Sequence, residues 1–235
     1  MTIEVKDKGE EAEISIIGEI GAPWFVEDRV GLREFSTSWD TVKGKKGIRV
    51  LINSIGGSIF DSMAMYNLIA KQREKVTAEV LGIAASGASI IALAGAKLVM
   101  GEGSYLMIHN PWGFAMGGSV DMRKVADTLD MMQGDLAAIY EPRTGLSRKE
   151  ILAAMDAETW YTADEAVEVG FADEVSRTRA RISASADALK RYHNVPRSII
   201  QPESPAKPLI DVAAIAARAR EVGRIDERLA MLGGR

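Results

Sequence analysis

Three short segments carry residue types that acyl-transfer chemistry uses. Ser86 stands in LGIAASGAS, His109 ends the apolar run YLMIH, and Gly56-Gly57 separates an apolar strand pattern from a helix pattern. A serine hydroxyl becomes a nucleophile when a base takes its proton, and an acid must orient that base. Backbone amides at a glycine turn can point at a developing negative charge. If the chain holds a base of this type, His109 is the strongest candidate.

Each segment also has an ordinary structural explanation, which the residue types alone leave open. A Gly-Gly pair is a common turn, a serine at a helix start is a common N-cap, and a histidine ring can bond to the backbone. We expect Ser89, three residues after Ser86, to pack or to bond back to its helix. His193 lies among charged residues, and we expect its side chain to be solvated on the surface.

The composition excludes several other kinds of site. The 235 residues include no cysteine and two histidines, which rules out disulfides and thiolate zinc sites and leaves almost no room for a polyhistidine metal centre. We expect neither a metal nor a cofactor. The net charge of −4 gives no overall electropositive field for nucleic acid. The sequence has no GxxxxGK[ST] phosphate loop, so any ATPase would be a separate partner.

The amino-terminal sequence MTIEVKDKGEEAEIS alternates in charge and lacks the apolar region of a signal peptide. We therefore expect a cytoplasmic protein without a membrane partner. The longest mostly apolar stretch, residues 80–96, is near the lower limit of a membrane span. A strand that continues into a buried helix explains this stretch better.

Strand and helix patterns alternate at short intervals in the first part of the chain. Strands are predicted around residues 14–20, over 48–53 and from Val76, and helices over 26–42, 58–71 and 86–96. This alternation is typical of βαβ units around a largely parallel sheet. Sites in such sheets form in the crevice beyond the strand ends. We therefore predict an α/β fold with the candidate residues at one edge of the sheet.

A long amphipathic helix is predicted over residues 119–140, with an apolar stripe on one face. The stripe consists of Met122, Val125, Leu129, Met132 and Leu136. Such a stripe usually belongs to a core or a partner contact, not to a site. Two shorter helices are predicted after Ser147 and Thr162, the second with a threonine N-cap and a terminal glycine.

The composition changes beyond about residue 176. Four of the seven prolines fall between residues 196 and 208, which indicates a linker, and an Ala- and Arg-rich helical pattern follows. We predict a compact domain over residues 1–178, a linker over 179–208 and a helical tail over 209–235.

Four separated blocks, taken in order, resemble the ClpP family of serine peptidases. INSIGG is similar to its strand-end Gly-Gly segment, GIAASGAS to its nucleophile turn, MIHNPWG to its histidine loop, and TWYTADEAVEVGFADEV to its closing segment. The resemblance extends from about residue 12 to 176. It implies a ClpP/crotonase-like fold of stacked βαβ units with a protruding long helix. It also implies a ring-forming homo-oligomer that acts on proteins or peptides.

Carried over by position, the resemblance implies that Ser86 is the nucleophile and His109 the general base. It also implies that the amides of Gly57 and Gly87 form the oxyanion hole. Gly87 stands where the family commonly has methionine, a change that keeps the amide and removes a side chain beside the substrate.

The third member of the triad, an aspartate in the family, aligns with Glu158, and Asp156 is the alternative. The extra methylene of glutamate requires a different approach to the imidazole. The resemblance further implies that substrate lies extended against Gly56, Trp112 and Gly113, where the backbone could add a strand to it.

A glutamate in this position, together with the linker and tail, is similar to the ClpP-like head maturation proteases of tailed phages and prophages. We predict this function: processing of scaffold or capsid proteins in the prohead. Three alternatives stay open. They are a ClpP proteolytic subunit that works with a separate ATPase, a crotonase-like acyl-CoA enzyme, and a noncatalytic oligomeric shell protein.

Overall fold

One mixed sheet positions the candidate residues, and its central strand, Val76–Ala85, is buried along almost its whole length. A computed structural model describes residues 3–21, 29–179 and 186–200. Of these, the residues up to Pro196 belong to one compact unit, and Arg197–Ile200 belongs to a second. The predicted helical tail over residues 209–235 lies outside the described residues.

The strands of the described ranges, in chain order, are β1 (Ile3–Lys8), β2 (Glu11–Ile17), β3 (Glu19–Ile20), β4 (Arg29–Val30), β5 (Gly47–Ser54), β6 (Val76–Ala85), β7 (Lys97–Glu102), β8 (Tyr105–Ile108), β9 (Thr159–Thr162) and β10 (Glu174–Arg179). The helices are α1 (Leu32–Val42), α2 (Ile59–Ala70), α3 (Gly87–Ala92), α4 (Ser119–Tyr140), α5 (Arg148–Asp156), α6 (Ala163–Val169), α7 (Ala186–Leu189) and α8 (Arg197–Ile200). Short 3-10 turns lie at Arg73–Lys75 and Glu141–Arg143.

The main sheet has the order β1-β2-β5-β6-β7-β10, and the strands from β2 to β10 are parallel to their neighbours along this path. The first half of β6 pairs with β7, whereas its last residues pair with β8, which in turn pairs antiparallel with β9. The long central strand therefore changes partners along its length. This change brings the end of β8 next to the end of β6.

The predicted α/β fold of βαβ units is confirmed. Helix α4 has the predicted bounds, and it is buried only at its carboxyl-terminal end, at Leu136, Ala137 and Tyr140, so it protrudes as expected. Helices α5 and α6 begin after Ser147 and Thr162 with capping boxes, as predicted from their sequences.

Several predicted elements have different bounds. The helix predicted over residues 26–42 begins at Leu32, after the short strand β4, and buries Phe35, Trp39 and Val42 on one face. The helix predicted over 86–96 is shorter, because it is followed by a turn and by β7. Strand β1 was not predicted, since five of its six residues are exposed and an edge strand of this kind has no apolar alternation.

The carboxyl-terminal linker prediction needs a correction at its start. Residues 186–196 lie in the first compact unit, where Leu189 and Tyr192 are buried. Residues 196–208 are rich in proline, whereas the segment before them packs through Tyr192, whose ring contacts His109 and Trp160. The side chain of His193 is exposed, as expected.

Candidate active site

Ser86 occupies a strained turn between strand β6 and helix α3. Its backbone has φ 55° and ψ −125°, a conformation that residues other than glycine rarely adopt. Strain of this kind persists where the surroundings hold the backbone in place, and here the Ser86 amide donates to the Met107 carbonyl at 3.0 Å. The turn leaves the side chain half-buried at the end of the central strand.

His109 follows the last residue of β8, the strand that pairs with the end of β6. Because Ala85 faces Met107 in this parallel pair, the residues just beyond them meet at the same edge of the sheet. The His109 Nε2 atom lies 2.7 Å from the Ser86 Oγ atom. When the ring proton is on Nδ1, the serine hydroxyl donates to Nε2, the arrangement that a general base requires.

Burial lowers the pKa of His109, and the charge of Glu158 partly opposes this effect. The nearby His193 lowers the pKa further. The imidazole is therefore neutral at neutral pH and can accept a proton from Ser86.

The two glycines after β5 pack directly against this serine turn. A Cβ atom on Gly56 would lie 2.5 Å from the Ala85 carbonyl oxygen and 2.8 Å from the Ser86 Cβ atom. A Cβ on Gly57 would overlap the Ile20 carbonyl oxygen. Both glycines also have positive φ angles. Only glycine fits these two positions without displacing the backbone beside Ser86.

The amides of Gly57 and Gly87 lie close together beside the Ser86 turn. Gly57 forms a parallel bridge with Ile20 in which the flanking residues, Gly56 and Ser58, make the hydrogen bonds. The amide of Gly57 therefore points away from strand β3. A Cβ on Gly87 would lie 3.7 Å from the Gly57 nitrogen, so the two amides are close neighbours. Their spacing suits a site for a small negative charge next to Ser86.

Glu158 lies near His109 without a hydrogen bond to it in the described part of the chain. Glu158 is 8% exposed, and its carboxylate accepts hydrogen bonds from three donors. The Oε1 atom accepts from the Asn194 amide at 2.7 Å and the Trp160 Nε1 atom at 3.3 Å, and the Oε2 atom accepts from the His193 amide at 3.0 Å. Glu158 thus acts on the imidazole through its charge.

Asp156, the alternative third member, belongs to a different network. Its Oδ1 atom accepts from Asn110 Nδ2 at 2.7 Å and from Gln133 Nε2 at 3.2 Å. Gln133 also donates to the Asn110 Oδ1 atom at 2.7 Å. Asp156 therefore ties the loop after His109 to the long helix α4, and it has no hydrogen bond to the imidazole in the described residues.

A cavity of about 560 Å³ opens beside Ser86 and His109. Trp112 and Gly113, predicted to bind substrate, line it, and the Trp112 ring stacks edge-on with Phe114 at 5.6 Å between ring centroids. Gly56, predicted with them, is buried behind the serine turn, where its neighbours are the backbone of Ala85 and Gly87. Gly56 therefore contacts the serine turn and does not line the cavity.

The apolar stripe of α4 supplies much of the opposite cavity wall. Val125, Leu129, Met132 and Leu136 line the cavity, together with Ile90 of α3. We expected the stripe to be core or partner contact, so the sequence analysis missed these residues. The signal that could have found them is the order of the elements, since a helix that follows the histidine loop must return past the same strand ends.

The sequence analysis also missed residues on two distant segments. Glu19, Arg191 and Tyr192 line the same cavity, although none belongs to the four blocks of the resemblance. A glutamate among the apolar residues ISIIGEIG was the available signal at Glu19, because a charge there must find a partner when it is buried. Nothing comparable marked Tyr192.

The described residues contain no group of three or more His, Cys, Asp or Glu side chains placed to hold a metal ion. No helix among them combines the length and the apolar composition that crossing a membrane requires.

Comparison with known proteins supports the family resemblance. The family model described as Clp protease matches residues 38–179. The ATP-dependent Clp protease proteolytic subunit of Bacteroides fragilis is 36% identical over 141 residues, which cover 58% of this chain and 67% of the relative. The chloroplastic proteolytic subunit 4 of Arabidopsis thaliana is also 36% identical, over 58% of this chain and 47% of the relative. The chain thus spans between about half and two thirds of these two proteins.

Among solved structures, a mutant of ClpP1 from Listeria monocytogenes has the same fold. The two structures superpose with a TM-score of 0.61 at 22% sequence identity, over 71% of this chain and 92% of that one. The family match covers more than half of the sequence, from α1 to the end of β10, and includes Ser86, His109 and Glu158. The chain therefore belongs to the Clp protease family, a family of serine-type peptidases.

Proposed function

We propose that this chain is a serine endopeptidase in which Ser86 is the nucleophile and His109 the general base. The observation that carries the proposal is the 2.7 Å contact between Ser86 Oγ and His109 Nε2, on a turn that faces the amides of Gly57 and Gly87. The lowered pKa of His109 supports it, because a neutral imidazole is the form that accepts the serine proton.

In the proposed reaction, Ser86 Oγ attacks the carbonyl carbon of a peptide bond while its proton passes to His109 Nε2. The oxyanion of the tetrahedral intermediate accepts hydrogen bonds from the amides of Gly57 and Gly87. His109 then donates the proton to the leaving amine, and the C–N bond breaks. A water molecule, deprotonated by His109, releases the acyl group from Ser86. Losing one oxyanion donor in such a site typically costs roughly 10²–10³ in rate.

We assign the third role to Glu158 as an electrostatic partner of the imidazole. Its negative charge favours the imidazolium that forms during the reaction, which is one of the contributions of a triad acid. Asp156 is the weaker candidate, because its hydrogen bonds hold Asn110 and Gln133 and not the catalytic ring. The loop after His109, including Trp112 and Gly113, is the proposed edge for a peptide substrate.

Two narrower functions follow from this activity. The named relatives are proteolytic subunits of ATP-dependent Clp proteases, and they favour a ring-forming subunit that works with a separate ATPase. Head maturation of a phage or prophage, with a capsid or scaffold substrate and a location in the host cytoplasm and prohead, is the second candidate. Glu158 in place of aspartate and the sequence after the family match favour it. Mass spectrometry of the products formed with candidate capsid proteins distinguishes the two.

A fluorophosphonate probe tests the activity itself. We expect covalent labelling of the wild type and none of Ser86→Ala or His109→Ala. The matched control is Ser104→Ala, because the Ser104 hydroxyl is buried without a hydrogen-bond partner in the described residues and lies away from the cavity. Labelling that persists in Ser86→Ala, or a folded and assembled wild type that never labels, would contradict the proposal. The second result would favour a shell protein or an acyl-CoA enzyme.

A further inference from the structure

Residues beyond the family match fold back onto the candidate active site. The match ends at residue 179, yet Leu189 and Tyr192 are 3% and 7% exposed in the same compact unit as Ser86. Burial of this kind is uncommon in a linker, where apolar side chains have nothing to pack against. The segment Arg191–Asn194, which we call the buttress segment, makes four kinds of contact with the site.

The first contacts come from the Tyr192 side chain. Its ring meets the His109 imidazole edge-on, with 5.4 Å between centroids, and meets Trp160 edge-on at 5.8 Å. Edge-to-face pairs of this spacing are favourable and fix the relative tilt of the rings. His109 is thus held between the Ser86 hydroxyl on one side and an aromatic ring on another.

The Tyr192 hydroxyl reaches the backbone that carries the glycine pair. It donates to the carbonyl oxygen of Ile55, the residue immediately before Gly56. Burial raises the pKa of Tyr192, so the hydroxyl stays protonated and remains a donor. One side chain therefore contacts the histidine and the backbone that leads to the proposed oxyanion amides.

The next two residues hold the acid through their backbone. The His193 and Asn194 amides donate to the two carboxylate oxygens of Glu158, at 3.0 Å and 2.7 Å. The Asn194 side chain adds a 2.7 Å hydrogen bond to the Ala157 carbonyl. Glu158 has a φ angle of 48°, so its turn is strained, and these contacts offset the strain. Hydrogen bonds to an ionised carboxylate are stronger than neutral ones.

A buried ion pair anchors the segment at its start. Arg191 Nη1 lies 2.5 Å from Glu19 Oε1, and the two side chains are 17% and 7% exposed. Glu19 belongs to strand β3, and the next residue of that strand, Ile20, forms a β-bridge with Gly57. Removing one partner of such a pair leaves an uncompensated charge, so the contact opposes release of the segment.

We propose that the buttress segment is a positioning element of the active site, in which Tyr192 holds His109 and the His193 and Asn194 amides hold Glu158. This proposal rests on the proposed function. The segment takes no part in bond making. It fixes the tilt of the imidazole, the position of the Glu158 carboxylate and the backbone before the glycine pair. Such positioning matters because a displacement of about 1 Å in a catalytic group can lower the rate roughly 10²-fold.

Two substitutions of Tyr192 separate its ring from its hydroxyl. Tyr192→Phe keeps the contact with His109 and removes the donor to Ile55. We expect its second-order rate constant for fluorophosphonate labelling to fall roughly tenfold with an unchanged pH profile. Tyr192→Ala also opens the space beside the imidazole. Burial is the main cause of the lowered His109 pKa, and the charges of Glu158 and His193 stay in place in this variant. Water in the opened space should therefore raise the pKa of His109. The acid limb of the labelling rate's pH profile then moves to higher pH.

A third variant removes a backbone donor. Asn194→Pro lacks the amide that donates to Glu158, and Asn194→Ala is its matched control, since the alanine keeps the amide and loses only the side-chain bond to Ala157. We expect Asn194→Pro to label more slowly than Asn194→Ala. Tyr66→Phe controls for loss of a tyrosine hydroxyl elsewhere, because that hydroxyl accepts from Arg73 and lies outside the cavity.

The outcomes separate this proposal from the proposed function. If the wild type does not label, the proposed function is wrong, and the positioning role that rests on it is wrong as well. A wild type that labels while Tyr192→Ala keeps its acid limb at the wild-type pH overturns the positioning role alone. Faster labelling of the Tyr192 variants also overturns it, because the segment would then obstruct the site. Slower labelling of Tyr192→Phe and a shifted limb in Tyr192→Ala support it.

Discussion

Ser89 and Tyr140 share a buried hydrogen bond of 2.8 Å between their hydroxyl oxygens, which joins helix α3 to the long helix α4. Ser89 Oγ also lies 2.6 Å from the Ser86 carbonyl oxygen, to which it donates. A hydroxyl has one proton, so Tyr140 must be the donor in its bond with Ser89. Burial raises the pKa of Tyr140 and keeps it protonated. The chain of bonds therefore runs from Tyr140 through Ser89 to the backbone of Ser86.

We expect Tyr140→Phe and Ser89→Ala each to lower the free energy of unfolding by about 1–2 kcal/mol, because each removes the buried hydrogen bond between the two hydroxyls. The double variant should cost less than the sum of the two, with a coupling of about 1 kcal/mol. Chemical denaturation of the four proteins measures this coupling. Strictly additive effects would mean that the bond does not join the helices.

The pH dependence of activity should report His109. Its pKa is lowered from the ordinary value of about 6.5, so kcat/KM should fall with acid only below that pH. In Glu158→Gln, the charge that raises the pKa of His109 is lost, and the acid limb should move to still lower pH while the maximum rate falls. The assay is peptide hydrolysis between pH 4 and 9. An acid limb that moves upward in Glu158→Gln would contradict the electrostatic role.

A methyl group at Gly56 should disable the serine turn. Its Cβ would meet the Ala85 carbonyl oxygen at 2.5 Å and the Gly87 nitrogen at 2.8 Å, so the turn must shift. We expect Gly56→Ala to lose labelling and to be destabilised by about 1–3 kcal/mol. Gly103→Ala is the matched control, because it has a similar φ of 79° with nothing near its Cβ. Equal effects of the two substitutions on labelling would show that strain, and not the clash, decides.

The apolar face of α4 should set how firmly the substrate is held. Leu129 lines the cavity, so Leu129→Ala removes apolar contact worth about 1–2 kcal/mol and should raise KM roughly fivefold to thirtyfold. The neighbouring Asp130 is exposed and does not line the cavity, and Asp130→Ala should leave KM unchanged. Steady-state hydrolysis of a peptide with an apolar residue at the cut measures both variants. Equal KM values would place the substrate elsewhere.

The meeting of Ser86 and His109 could be predicted because it depends on sheet topology. Parallel strands have their carboxyl ends at one edge, and the apolar runs before both residues were visible in the sequence. The geometry of Glu158 could not be predicted in the same way. Two of its three donors are the backbone amides of His193 and Asn194, and an amide is present at every residue except proline, so no residue type marks these two.

The place of Tyr192 shows a second limit of prediction. Its burial depends on contacts with Ile55, His109 and Trp160, which are distant from it in the sequence and lie in three separate segments of the chain. An aromatic residue surrounded by Lys, Arg and Asn gives no periodic signal, because the segment Arg191–Asn194 has neither helical nor strand spacing. Tertiary packing decides such a position, and only the structure describes it.

The outer strands of the main sheet differ sharply from its interior. Strand β1 turns Glu4, Lys6 and Lys8 toward solvent, and β10 at the other side turns out Glu174 and Arg177. Charged side chains along an unpaired margin discourage a neighbouring molecule from adding a strand there. Strand addition by a neighbouring molecule is therefore disfavoured at both of these margins, so the main sheet is protected from edge-to-edge aggregation there.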